Sequence, residues 1–451
     1  MGDGEDTGNN SSHSHECPAH ILNYLASALG PNSMENVKIF SARSAQQQVW
    51  IISKLNPTST YQSEEWKDAL ASGNKYLAVR QWKTSSCWWN LNRNQYEKND
   101  IDTLAKSEVA GYRLARKALL KIHIPLVLYF SHDDDTEDEI SRNDINDTQQ
   151  LPKPWAILSY VGPSSIYFDN NVEISEYWMN RMVKTRLEFG SEEPHPRWGR
   201  VPVDQAVEYT LSVLRNVTIP LHSYMRDNAV DQNIISCLQG AAPPATAQCI
   251  QLSTGYTYSR MVRVYQSALQ EMKDAHNTTG DEKLHAAIGV LEKAIAHLTK
   301  QQPYLETHSL PAVLCHMDCQ PQNLLFAQSP ATDVTPRISS VLDWEEAAFA
   351  DPRFELLLMC RKVCANRAQA EQIWTTYQQE CPQPLLGPLE PWLALETVHS
   401  ITSLLLQTMD LLGGGRNPWE TKPDLWGKIQ REIRRLVTEY GWDFCDAPEF
   451  R

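Results

Sequence analysis

The stretch from Leu314 to Leu356 constrains this chain more than any other. It reads LCHMDCQPQNLLF, then a turn-rich gap, then ISSVLDWEEAAFADPRFEL. His316, Asp318, Asn323 and Asp343 stand in it, the first Asp two residues after the His and the Asn five residues after that Asp. Leu324 to Ala327 is a short apolar run, and Ile338 to Leu342 is a second. Ser329-Pro330 and Thr335-Pro336, with Asp333 between them, separate the two. Two apolar runs divided by turn residues predict a hairpin. In a hairpin the first residue of one arm lies about 5 Å across the ladder from the last residue of the other. Asn323 and Asp343 then meet at one end, and Asp318 lies on the loop entering that end. Three oxygen-bearing side chains converge on one point.

Oxygen ligands at a loop mouth suit Mg2+, a hard ion that takes one or two carboxylates along with phosphate oxygens and water. In phosphoryl transfer a loop Asn and a later Asp hold the metal, while an earlier Asp receives the proton of the attacking hydroxyl. The protein-kinase signature sets its His, Asp and Asn at these same offsets. A lone His-x-Asp is common and carries little weight. Joined to the Asn, the hairpin and Asp343-Trp344-Glu345, it becomes specific. The competing arrangement is a polar surface loop between two buried strands.

At these residues the sequence resembles a known family. HMDCQPQNLL followed by VLDWEEAAFADPRFEL is similar to the aminoglycoside phosphotransferase and choline kinase superfamily, whose usual pattern is H-G-D-x-H-P-x-N and then I-D-W-E/D. The resemblance spans roughly residues 35 to 400. It implies an α+β, two-lobed, protein-kinase-like fold, with a small antiparallel β-sheet lobe and a larger, mainly helical lobe. It implies Asp318 as the catalytic base, Asn323 and Asp343 as magnesium ligands, and His316 as a support for the catalytic loop. Met317 stands where Gly is usual and Gln320 where His is usual; neither is a metal ligand. Asp351-Pro352 follows, and Asp351 either anchors the loop or caps a helix opening at Pro352.

The nucleotide half is sought in the N-terminal part. Phosphoryl transfer uses a cation on the α/β-phosphates, often held by a helix Glu. Tyr76 to Trp82 reads as a strand, and Arg80 occupies the place where the superfamily carries Lys or Arg. Alternation puts Ala78, Arg80 and Trp82 on one face. A cation among apolar strand residues is costly to bury alone. Asp102 to Ile122 reads as a long helix whose Leu104, Glu108, Gly111, Ala115, Ala118 and Ile122 share a face. Glu108 is the charged residue on it, so Arg80 with Glu108 is the expected pair. Lys83 is the other candidate cation, and a water-facing Arg80 with a solvated Glu108 is the other arrangement. Phe40 to Gln48, between the first two strands, contains no Gly. Ser41 and Ser44 remain to offer backbone N–H groups to phosphate. Ile157 to Gly162 resembles the hinge, where backbone groups of Ser159 and Val161 would hydrogen-bond adenine. ATP and Mg2+ are the implied cofactors.

At 451 residues the chain exceeds the size at which one core usually divides. The expected organisation is a disordered tail over 1–17, an N-terminal nucleotide-binding lobe over 18–162 with an acidic insertion at 131–152, and a helical catalytic and substrate lobe over 163–451. Further helices between Tyr167 and Tyr304 would build the acceptor pocket. Within them Leu284, Ile288, Leu291, Ile295 and Leu298 form one apolar helix face that Pro303 should end. His20 to Leu29 reads as a helix stopped by Gly30-Pro31. The formal charge of −14 argues against a nucleic-acid partner, which needs Lys and Arg patches. The ten Cys include no C-x-x-C pair. Neither a secretory leader nor an apolar run of membrane-spanning length is found, so a cytoplasmic protein with reduced thiols is expected.

The expected activity is ATP-dependent transfer of the γ-phosphoryl group to a hydroxyl of a small molecule, an amino alcohol or a sugar-type acceptor. A non-catalytic kinase-fold binding module is the alternative. The glycine-free connection favours the module, and the intact Asp318, Asn323 and Asp343 oppose it. A metal-dependent hydrolase using Asp318 and His316 is a third reading, and it leaves Arg80 and Glu108 unexplained.

Overall fold

Apolar and polar residues alternate along LAVRQW, and its neighbours QQVWIIS and WAILS are rich in the β-branched and aromatic residues that suit a pleated surface. These segments pair as strands. The structure, a computed structural model, describes residues 17–35, 37–43, 47–53, 55, 64–71, 76–82, 101–133, 153–161, 208, 210–227, 258–279, 281–306, 310, 312–319, 323–326, 338–363, 367–381 and 386–442. The expected insertion from 134 to 152, Ser44, Lys83 and Gln320 lie outside them, as do 162–207 and 228–257 among the expected acceptor-building segments.

The elements divide into two compact units. One holds a five-stranded antiparallel sheet of β1 (Lys38–Arg43), β2 (Gln47–Ser53), β3 (Leu77–Trp82), β4 (Val127–Phe130) and β5 (Trp155–Ser159), in the order β1-β2-β3-β5-β4. Arg80 stands opposite Val49 on one side and Ala156 on the other. The helices α1 (Ala19–Leu29) and α2 (Glu64–Ala71) cover a sheet face, and Ile21, Leu25 and Leu29 of α1 enter the same core as Trp50, Ile52, Leu77, Val79 and Ile157. Helix α1 stops at Gly30, whose φ of 93° suits Gly alone. Cys17, read from the sequence as the end of a tail, is instead 6% exposed in this core. The apolar i, i+4 stripe of α1 anchors the helix, and the residue ahead of its first turn is drawn in with it.

The second unit is mainly helical. It contains α3 (Ile101–Ala118), α4 (Ile219–Asp227), α5 (Tyr258–Thr279), α6 (Glu282–Glu306), α7 (Pro352–Val363), α8 (Arg367–Glu380), α9 (Glu390–Gly413) and α10 (Leu425–Thr438). Helices α5, α6 and α9 pack on one another, and α10 packs on α9. Leu284, Ile288, Leu291, Ile295 and Leu298 are all buried, as their spacing predicts. The helix does not end at Pro303, however; it continues to Glu306. Pro303 is solvent-exposed and close to the C-terminus of the helix, and the buried Leu305 beyond it holds the last turn in place. Packing outweighs one missing N–H there.

Two small ladders interrupt the helices. Strand β6 (Val313–Cys315) pairs with β9 (Ala348–Ala350), and β7 (Leu324–Phe326) pairs with β8 (Ile338–Val341), all antiparallel. The second pair is the expected hairpin. The small antiparallel sheet and the larger helical part are those expected of a protein-kinase-like α+β chain. No described helix is long and apolar enough to cross a membrane.

Candidate active site

Strand β6 delivers the chain to His316, which is fully buried and tied on every side. Its ring Nε2 lies 2.8 Å from the Leu342 carbonyl oxygen, and its Nδ1 lies 3.2 Å from the Asp318 backbone nitrogen. An N–H must donate to Nδ1 and a carbonyl must accept from Nε2, so these partners assign the ring proton to Nε2. The ring packs on Trp344 at 4.4 Å between centroids. The backbone N–H of His316 donates to Glu355 Oε2 at 2.7 Å. His316 therefore splints the loop before Asp318 to the segment before Asp343.

Met317 takes a left-handed conformation, with φ 64°. This explains why Gly is usual at the position: a Cβ there is crowded against the backbone, at about 1–2 kcal/mol. The hydrogen bonds of His316 and Asp318 on either side hold the strained residue in place.

Asn323 sits at the start of β7 and is bonded directly to Asp318. Its Nδ2 donates to Asp318 Oδ2 at 2.7 Å and to the Asp318 carbonyl oxygen at 2.9 Å. Both partners are acceptors, so the amide nitrogen must face Asp318, and the amide oxygen is left as a donor atom for a cation. The Leu342 N–H donates to the Asn323 carbonyl at 2.8 Å, closing the open end of the hairpin. Asp343 follows directly, with φ 62°, a conformation that Asp tolerates better than most residues. Its backbone N–H donates to Tyr112 Oη at 3.3 Å. The described residues of the loop mouth thus offer the Asn323 amide oxygen and the Asp318 and Asp343 carboxylates, oxygen donors of the kind that suits Mg2+.

Helix α3 leans closely on this region. A Cβ added at Gly111 would stand 3.0 Å from the Cβ atoms of both Trp344 and Ala347. Ser107 Oγ donates to the Ala347 carbonyl at 3.3 Å. Glu108 is fully buried on this helix. Arg80 is half-buried on β3, in the sheet unit. In that unit the Ser159 N–H donates to the Leu126 carbonyl at 2.8 Å, and Ser159 Oγ accepts the Leu126 N–H at 2.8 Å. The N–H of Ser159 is therefore engaged within the sheet. Val161, two residues beyond the end of β5, is half-buried.

Asp351 caps α7: its Oδ1 accepts the Arg353 N–H at 3.0 Å. The Arg353 side chain returns to the same carboxylate at 2.8 and 2.5 Å, reaches the Leu386 carbonyl at 3.1 Å and lies 4.0 Å over the Trp392 ring. Two contributors escaped the sequence reading, Tyr112 and Glu355. The signal for Glu355 was an acidic residue inside the apolar run Phe354 to Met359. Nothing in the sequence singles out Tyr112.

Residues 244–392 match the phosphotransferase enzyme family. No curated protein matches the chain. Among solved structures, the GDP and kanamycin complex of APH(2″)-IIIa is similar at 13% identity and a TM-score of 0.47, covering 95% of this chain and 100% of that one. An ethanolamine kinase of Plasmodium vivax is similar at 10% identity and a TM-score of 0.49, covering 96% of this chain and 93% of that one. The segment that carries His316, Asp318, Asn323 and Asp343 is therefore the segment that matches the phosphotransferase enzyme family, the family these motifs resemble.

Proposed function

We propose that this chain is a Mg2+-dependent kinase of a small molecule, moving the γ-phosphoryl group of ATP to an acceptor hydroxyl. One observation carries the reading: the Asn323 amide nitrogen is spent on Asp318, and the hairpin sets Asp343 beside Asn323 with an amide oxygen left over. Asp318, held by Asn323 and by His316, accepts the acceptor's hydroxyl proton as the oxygen attacks phosphorus. Asn323 and Asp343 would hold Mg2+, whose charge, when it is bound, offsets that of the β- and γ-phosphate oxygens. Arg80 is assigned to the α/β-phosphates, Glu108 to the same nucleotide half of the site, and backbone groups of Ser159 and Val161 to adenine. Catalysis of this kind is mostly alignment and electrostatics. An amino alcohol or a sugar hydroxyl is the acceptor class, and the cytoplasm, where ATP is at hand and thiols stay reduced, is the place.

A second reading is favoured by the glycine-free connection from Phe40 to Gln48: a kinase-fold module that binds nucleotide without turning it over. ADP formation measured against amino alcohols, sugars and aminoglycosides separates the two. At least one acceptor should stimulate ADP release. Asp343→Ala should abolish it, and Asp318→Asn should lower kcat by about 10²–10⁴-fold while nucleotide binding persists. Near-native turnover in Asp343→Ala would remove the metal assignment. ATP binding with no ADP from any acceptor would favour the module.

A further inference from the structure

Directly beneath the catalytic loop lies a second cluster of chemistry-bearing side chains that the proposed reaction does not use. His222 comes from α4, Cys315 from the last position of β6, and Glu355 from α7; they are 0%, 0% and 1% exposed. One ligand atom from each lies within 4.8 Å of the other two. Cys315 Sγ is 3.5 Å from His222 Nε2, and Glu355 Oε2 is 3.8 Å from the same nitrogen. Glu355 Oε1 is buried and has no hydrogen-bond partner among the described residues.

We propose that His222 Nε2, Cys315 Sγ and the Glu355 carboxylate form a buried structural site for one zinc-class divalent cation, pinning the base of the catalytic loop. The spacing supports it. A tetrahedral ion with Zn–S of about 2.3 Å and Zn–N of about 2.0 Å holds S and N about 3.5 Å apart, the separation seen here. The donor chemistry supports it as well. One sulfur, one imidazole and one carboxylate suit zinc and its neighbours and do not suit Mg2+ or Ca2+. His222 is already oriented for the role, because its Nδ1 is 2.7 Å from Tyr377 Oη, the outer hydrogen bond that metal-binding His residues commonly make. Chelation by both Glu355 oxygens completes four donors, and Oε2 still accepts the His316 N–H through its other lone pair.

Charge gives the same answer by a separate route. The nearest buried cation along the chain, Arg353, is bound to Asp351. A buried carboxylate without a full complement of partners is costly. A divalent cation would offset the charge of that carboxylate. On binding, the S–H bond breaks, the sulfur pair goes to the metal, and the proton leaves to buffer. No electron changes hands. Because Cys315 precedes His316 and Glu355 accepts the His316 N–H, the ion would join three segments under the loop that carries Asp318.

The test uses the full-length protein, made with zinc in the medium and purified without chelator or histidine tag. Elemental analysis should find about one zinc per chain. Exchange of zinc for Co2+ during refolding should give a thiolate-to-cobalt charge-transfer band. That band should vanish in Cys315→Ser, weaken in His222→Ala, and persist unchanged in Asp343→Ala, which separates this site from the Mg2+ assignment. If Cys315→Ser does not fold, the wild-type spectrum and zinc content decide alone. Absence of both zinc and the band overturns the proposal, as does a band that survives Cys315→Ser.

Discussion

Two residues of the candidate site, Asp343 and Met317, hold left-handed backbone conformations, and for different reasons. Asp has a short polar side chain that tolerates this region. Met has none, so the position costs about 1–2 kcal/mol. The Met317 side chain is also 1% exposed, and burying it offsets the strain by about 1.5–3 kcal/mol. The two effects can be separated by substitution. Met317→Ala removes the burial and keeps the strain, which should destabilise the fold by about 2–3 kcal/mol. Met317→Gly removes both, and should be more stable than Met317→Ala by up to about 1 kcal/mol despite the greater freedom of Gly in the unfolded chain. Urea denaturation of the two variants checks the order. Ala more stable than Gly would mean that the left-handed turn is not held in solution. Residue-level strain of this kind is invisible in composition. It was foreshadowed only by a Met standing where the family pattern has Gly.

At the scale of elements, α3 packs directly against the candidate site within its own unit. Its Ser107, Gly111 and Tyr112 touch, in turn, the Ala347 carbonyl, the Trp344 and Ala347 side chains, and the Asp343 N–H. In an exposed helix Gly→Ala stabilises by about 1 kcal/mol. At Gly111 the new Cβ would lie 3.0 Å from two Cβ atoms, neither of which is the end of a flexible chain. Gly111→Ala should therefore lower stability by about 1–3 kcal/mol and reduce kcat by shifting the Trp344 segment that flanks Asp343. Thermal unfolding and turnover, measured together, check this; a rise in Tm would show that the helix does not approach so closely. The sequence made much of this arrangement readable. Helical phase put Glu108, Gly111 and Ala115 on one inward face, and turn residues between apolar runs gave the β7–β8 hairpin. Tyr112 could not be read, because its hydroxyl meets Asp343 across 231 positions of chain and nothing local requires that contact. Pro303 misled for the converse reason: a local breaker was overruled by Leu305 packing beyond it.

For the whole molecule the relevant quantity is charge. The formal balance of −14 gives a field that repels anions, and ATP is strongly anionic. The cations proposed to hold it are few, with Arg80 foremost among them. Nucleotide affinity should then depend on the divalent ion, since in the proposed site Asp318 and Asp343 would face the phosphates and repel them when bare. Linkage turns this into a stability measurement: a ligand at 100-fold excess over its Kd raises native stability by about 2.7 kcal/mol. ATP with Mg2+ should raise Tm by several degrees, whereas ATP with EDTA, or Mg2+ alone, should leave it almost unchanged. In Asp343→Ala the joint effect should disappear, and in Asp318→Asn it should remain or increase, because a carboxylate facing the γ-phosphate has been neutralised. The two variants should thus move in opposite directions, although both are expected to be impaired in turnover. An ATP shift of equal size with and without Mg2+ would overturn the role given to Asn323 and Asp343. The nucleotide would then be held by cations alone, with no ion needed at the hairpin mouth.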